Sequence, residues 1–112
     1  MKRPKKKRPM AEYLYRSCRV AGAFGKPAKL SIIDLLMKRG PLSLSEISKS
    51  IHRSKGATCQ HLSILKKLDI VRYETEKKRT KYWIKYPEEV KSIIDSIEVF
   101  VTRVVEGAGA KD

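Results

Sequence analysis

Ser43 and Glu46 stand in S-x-x-E spacing at the head of a short apolar pattern, and that pair constrains the chain more than any other feature. In such a box the serine oxygen accepts from the backbone N–H three residues on, while the glutamate accepts from the serine's own N–H. Two otherwise orphaned donors are satisfied, and a helix has to start there. It has little room to run. Ile51-His52-Arg53 makes a tight connection, and Ser54, a good N-cap, opens another helix. On this second helix Thr58, Leu62, Leu65 and Leu68 fall within about a third of the circumference, with Cys59, Gln60, Ser63 and Lys67 opposite. A short capped helix and a two-faced helix must therefore pack as a pair, leaving one polar face outward.

The flanks extend this unit. A helix is expected from Met10 to Ala23, carried by Leu14, Cys18 and Ala21, with a break across Ala21–Gly25. Pro27 suits the first turn of the next helix, whose face is Leu30, Ile33, Leu36 and Met37 and whose end is Gly40-Pro41. After the two-faced helix come two alternating runs. Val71, Tyr73 and Thr75 alternate with Arg72 and Glu74, and Tyr82 and Ile84 alternate with Lys81 and outward-pointing Trp83. Glu76-Lys77-Lys78-Arg79 forms the charged hairpin tip between them. Pro87-Glu88-Glu89 opens a last helix, acids placed to suit its N-terminal dipole. Its apolar stripe runs through Val90, Ile93, Ile94, Ile97, Phe100, Val101, Val104 and Val105 to Gly107.

Charge separates the chain into parts. The formal net charge is +14 over 112 residues. Residues 1–9 carry +6, residues 10–87 carry +11 and residues 88–112 carry −3. The expected organisation is a basic disordered arm over 1–9, one domain over 10–107 and a frayed tail over 108–112. A basic body is suited to a polyanion, and the acidic last segment to another task. No apolar run approaches the roughly 18 residues of a membrane span, no signal peptide fits, and two isolated cysteines suit a reducing cytoplasm. Paired acids, a nucleophile–base set and a phosphate-binding glycine loop are lacking, so the reading is not an enzyme, with no cofactor.

Short helix, tight turn, two-faced helix and basic hairpin follow one another in the order of a winged helix-turn-helix: mainly α, with a two-stranded β wing. The helix capped by Ser54 can enter a major groove about 12 Å wide and offer its polar face to base edges. Lys77, Lys78 and Arg79 can reach phosphates or the adjacent minor groove. The expected DNA-contacting set is Ser54, Lys55, Gly56, Cys59, Gln60, His61, Ser63 and Lys67 with the three wing cations. Gln60 is the best base reader, because its amide pairs bidentately with adenine. Charge alone would serve a non-specific architectural or RNA-binding protein equally well; the capped, groove-facing helix and the wing favour sequence-specific binding.

At these residues the chain resembles the ArsR/SmtB repressors, small dimeric winged-helix regulators of prokaryotes. The resemblance rests on P-A-K-L-S-I-I-D-L-L (27–36), L-S-L-S-E-I-S (42–48), S-K-G-A-T-C-Q-H-L-S-I-L-K-K-L-D-I-V (54–71) and Tyr82, and it covers about residues 11–106. It implies a homodimeric repressor on an inverted-repeat operator, held together by its first and last helices. That agrees with a stripe wider than one small domain can cover, and it assigns Leu14, Ala21, Ile93, Ile94, Ile97, Phe100, Val101 and Val104 to the interface. There are departures. The family's wing-tip glycine is replaced by Lys77-Lys78-Arg79, and Gly56 weakens its helix by roughly 1 kcal/mol against Ala. The family's thiolate metal site lies where this chain has Leu42-Ser43-Leu44-Ser45. Its other site uses Asp and His on the last helix, yet residues 88–106 contain neither His nor Cys. Neither site can form, and no effector is indicated.

Some residues admit two readings. Cys59 is either a redox switch on the DNA-facing side or, better supported, a small surface substitution. Cys18 reads as a packed small hydrophobe. His61 suits phosphate or neighbouring side chains better than metal. The arm at 1–9 reads as DNA-tracking, with an inert extension or a start at Met10 as alternatives. Localisation is expected to be cytoplasmic, on the nucleoid when DNA-bound.

Overall fold

The computed structural model describes residues 11–110. The arm at 1–9, the helix start expected at Met10 and the last two residues of the tail lie outside them. Helix α1 (Glu12–Phe24) is followed by α2 (Pro27–Arg39), strand β1 (Leu42–Ser43), α3 (Leu44–Ile51), α4 (Lys55–Lys67), strands β2 (Val71–Glu76) and β3 (Arg79–Ile84), and α5 (Pro87–Ala110).

α1 ends within the stretch Ala21–Gly25 where a break is expected, at its far end. It passes through Gly22 and ends where the Gly25 N–H donates to the carbonyls of Ala21 and Gly22. The two residues that anchor it, Ala23 and Phe24, are buried, whereas Leu14, Cys18 and Ala21 are exposed. The expectation that Cys18 is packed is therefore corrected for the protomer. The α1 stripe faces away from this core, and the helix is tied down near its C-terminal end, by Val20, Ala23 and Phe24. Pro27 begins α2 as expected. Ile32, Ile33 and Leu36 are its buried residues, so the buried face includes Ile32 and leaves Leu30 and Met37 at its margin.

The capping box is complete. Glu46 N–H donates to Ser43 Oγ at 3.1 Å, and Ser43 N–H donates to Glu46 Oε1 at 2.8 Å. α3 then ends on His52 at φ 60°, a left-handed cap, before Ser54 opens α4. Ile47 of α3 meets Leu62 and Leu65 of α4 in one core with Ile32, Ile33, Leu36, Val71 and Ile84.

The wing is more than the expected two-stranded hairpin. β1 pairs with β3 through Leu42↔Tyr82 and Ser43↔Lys81, giving a three-stranded antiparallel sheet of order β1-β3-β2. Two residues carry no period that sequence could show; β1 exists because β3 offers it an edge. α5 likewise continues past Gly107 to Ala110. Only its start is rooted, with Val90 in the core and Ile94 packed against it. This is the mainly helical winged helix-turn-helix architecture. Among the described residues no helix is long and apolar enough to cross a membrane.

Candidate nucleic-acid interface

α4 is set by its cap and its core face together. Ser54 Oγ accepts from Ala57 N–H at 3.0 Å, and the Thr58 hydroxyl donates back to the Ser54 carbonyl at 2.8 Å. Thr58 is fully buried, so this bond satisfies its hydroxyl while the methyl packs. With Thr58, Leu62 and Leu65 turned inward, the helical period leaves Ser54, Lys55, Gly56, Cys59, Gln60 and Lys67 exposed, and His61 and Ser63 half-buried. A Cβ at Gly56 would meet nothing within 4 Å, so no packing inside the protomer demands glycine there. Burial, aided by the charges of Lys29 and Arg53, pushes the His61 imidazole below its ordinary value of 6.5, which favours the neutral ring.

The wing stands beside this helix. On one face of the hairpin Tyr73 and Tyr82 lie 6.0 Å apart, Lys66 of α4 sits 4.1 Å over the Tyr73 ring, and the Thr75 and Thr80 hydroxyls share a hydrogen bond of 2.8 Å. The other face carries the cross-strand pairs Arg72↔Trp83, Glu74↔Lys81 and Glu76↔Arg79. Trp83 points to this face as expected but is half-buried. At the tip Lys77 and Lys78 form a two-residue turn with φ of 52° and 67°. Both central residues of a tight hairpin turn of this hand need positive φ, which normally selects Asn-Gly.

Helix and wing enclose a groove of about 590 Å³. Lys55 enters it from α4, Ser43 to Glu46 from the start of α3, and Lys78 through Tyr82 from the wing. Of the expected wing cations the structure thus brings Lys78 and Arg79 together with Lys55, while Lys77 lines a second hollow with Glu74, Glu76 and Trp83, which Arg79 and Lys81 also border. Lys81, which the sequence shows only as an alternating strand residue, joins Lys55 in the groove. The two-residue turn that fixes the register was the signal for its place. The Glu46 carboxylate at the groove wall is held below its usual range, chiefly by the Ser43 hydrogen bonds and then by the charges of Lys81 and Arg39. Among the described residues no three His, Cys, Asp or Glu side chains come together as metal ligands.

The residues expected at a dimer interface lie elsewhere. Leu14, Ile93, Ile97, Phe100, Val101 and Val104 are large exposed apolar side chains, joined by Tyr13, Tyr15, Val99 and Val105. Ala21 is exposed and Ile94 half-buried.

Comparison with known proteins agrees with this geometry. The uncharacterized HTH-type transcriptional regulator MJ1325 of Methanocaldococcus jannaschii is 33% identical over 76 residues, 68% of this chain and 84% of that protein. In fold, the chain is similar to Rv0081 of Mycobacterium tuberculosis, with a TM-score of 0.77, 16% identity and coverage of 87% of this chain and 97% of that one. It is also similar to the homodimeric winged helix-turn-helix DNA-binding domain of Mb0332 from Mycobacterium bovis, with a TM-score of 0.73, 22% identity and coverage of 89% and 94%. Residues 26–73, from the start of α2 into β2, match the description "Bacterial regulatory protein, arsR family". This chain belongs to the ArsR family of winged helix-turn-helix transcriptional regulators.

Proposed function

We propose that the protein is a homodimeric repressor that binds a specific inverted-repeat operator in double-stranded DNA. One observation carries the reading: α4 turns Gln60, Cys59 and Lys67 to solvent, and its first residue, Lys55, lines one groove with the wing cations Lys78 and Arg79, while α1 and α5 keep large apolar side chains exposed elsewhere. Gln60 reads a base, with Cys59, Ser63 and Lys67 beside it and Ser54 and His61 near the phosphates. Lys77, Lys78 and Arg79 supply affinity without sequence preference. Leu14, Ala21, Ile93, Ile94, Ile97, Phe100, Val101 and Val104 meet a second copy, so two α4 helices face successive half-sites. Residues 10–107 form this DNA-binding and dimerisation domain, residues 1–9 track the DNA backbone, and the protein works in the cytoplasm on the nucleoid.

Selection from a randomised duplex pool, followed by titration of the enriched and a scrambled duplex at one stated salt concentration, tests the reading. An enriched palindrome bound at least a hundredfold more tightly than the scramble is expected. On it Gln60→Ala should cost roughly 1–3 kcal/mol and relax one base pair per half-site. Equal affinity for both duplexes would make the protein an architectural one.

A further inference from the structure

The wing face that turns away from the tyrosine pair carries the chain's one tryptophan. Trp83 is half-buried there, yet among the described residues no aromatic ring or cation is stacked on its indole. Pro41, one residue ahead of the pair Leu42↔Tyr82, stands beside it, and the two border a hollow of about 420 Å³. Small-ligand sites span roughly 300–1,000 Å³ and are mostly apolar with a few polar groups at the rim. An indole beside a proline is an apolar floor on which a planar ring can stack. The rim carries both signs of charge. Glu74 and Glu76 come from β2, and Lys77, Arg79 and Lys81 from the turn and β3. The register sets Glu74 opposite Lys81 and Glu76 opposite Arg79, yet among the described residues neither pair closes into an ion pair. Acceptors for N–H groups and donors for an anion therefore stand beside one apolar floor. Arg79 and Lys81 also border the groove that Lys55 enters, so two cations serve two hollows.

We propose that the Trp83–Pro41 hollow is an effector site for a nucleotide whose base carries an exocyclic amine, and that its occupation weakens DNA binding. The base stacks on the indole, its amine donates to Glu74 or Glu76, and its phosphate is held by Lys77, Arg79 and Lys81. A simple anion would meet the two acids and a simple cation the three basic side chains. A molecule with an amine at one end and a phosphate at the other satisfies both. Coupling to DNA follows because Arg79 and Lys81 cannot hold the nucleotide's phosphate and face the α4 groove at once. The coupling rests on the DNA-binding reading, whereas the seat itself does not. By linkage, DNA weakens nucleotide binding by the same factor as the nucleotide weakens DNA binding.

Trp83 is the reporter as well as the floor, since no other tryptophan contributes to the signal. The full-length chain is titrated with AMP while the indole is excited at the red edge of its absorption, where adenine is transparent. Saturable quenching is expected, with adenosine, ribose 5-phosphate and IMP each binding about tenfold more weakly or worse. Glu74→Ala with Glu76→Ala should erase the preference for AMP over IMP. In a second arm a fluorescein-labelled random-sequence duplex is titrated with the chain at fixed ionic strength, with and without saturating AMP. AMP should weaken wild-type binding roughly tenfold, within the usual span of allosteric coupling, and ribose 5-phosphate at the same concentration should not. Trp83→Leu should bind the duplex as wild type does and lose the AMP effect; circular dichroism confirms that each variant is folded. No saturable quenching, or equal quenching by AMP, IMP and adenosine, overturns the site. Quenching by AMP with duplex affinity unchanged overturns its role as an effector site. If wild type binds no duplex at low salt, the DNA-binding reading falls, and the quenching arm alone decides the seat.

Discussion

Replacing Ile97 and Val101 together by Asp tests the assembly without touching the protomer's core. Ile97 is 40% exposed and Val101 is 55% exposed, so about half of each side chain is already in water. Full burial of such a side chain is worth roughly 1.5–3 kcal/mol, and covering the remaining half therefore yields about 1 kcal/mol apiece. In a two-fold interface each residue counts twice. About 4 kcal/mol then leaves with the two side chains, before the cost of desolvating carboxylates is added. At about 1.4 kcal/mol per tenfold, the dimer Kd should rise by three orders of magnitude or more. Sedimentation velocity at micromolar loading should show wild type as a dimer and the double variant as a folded monomer with native far-ultraviolet ellipticity. Lys91→Ala, on the polar side of α5 where Lys91 pairs with Asp95 at 2.7 Å, should leave the dimer intact. A double variant still dimeric at wild-type concentrations would refute the interface, as would a wild type that runs as a monomer throughout.

Ser43→Ala removes one arm of the capping box and should cost about 1 kcal/mol in denaturant unfolding, with Ser43→Asp recovering most of it. Gly56→Ala should stabilise the protein by up to about 1 kcal/mol, because the added Cβ meets nothing, and leave duplex affinity within about twofold; a large drop in affinity would place a DNA backbone against that turn. His61 has a folded-state pKa below its unfolded value, mainly through burial, so the unfolded chain takes up the proton first as pH falls. Stability is therefore complete well above pH 6.5 and declines below it, and His61→Gln should flatten the fall in Tm between neutral and mildly acidic buffer. Micromolar zinc, cadmium or arsenite in reducing buffer should leave operator binding unchanged, since the family's ligand positions at 42–45 and along 88–106 hold no Cys or His; release of DNA by any of them would overturn the metal-independent reading.

What the sequence disclosed was whatever a few neighbouring residues decide among themselves. The Ser43–Glu46 box, the Ser54 cap, Pro27 at the head of α2 and the inward triad Thr58, Leu62 and Leu65 are all set within a turn or two, and each stands where it was expected. What needed the third dimension was missed. β1 has no pattern of its own and is created by the edge of β3. Gly22 and Gly25 look alike in one dimension, yet only Gly25 ends α1, because Ala23 and Phe24 have a core to enter. Cys18 has helical spacing with Leu14 and Ala21, but spacing cannot say whether a face meets its own core or another chain. Lys81 was visible as an outward strand residue; its partnership with Lys55 depends on a register that only the two-residue turn fixes.

That register also shows how so cationic a wing can fold. Like charges directly opposite one another on paired strands are destabilising, whereas opposite charges contribute favourably. β2 supplies Glu74 and Glu76 opposite Lys81 and Arg79 of β3, while the reverse face closes with the Thr75–Thr80 hydrogen bond and the Tyr73–Tyr82 contact. The acids thus let the hairpin form, at the expense of part of the positive field it presents. Only Lys77 and Lys78 lie beyond the last cross-strand pair, at the two positions where the backbone is least comfortable. A glycine at either would ease the turn and remove a charge that no facing carboxylate offsets. In this wing the strand acids ease folding and weaken the field, whereas the tip lysines strengthen the field and strain the turn.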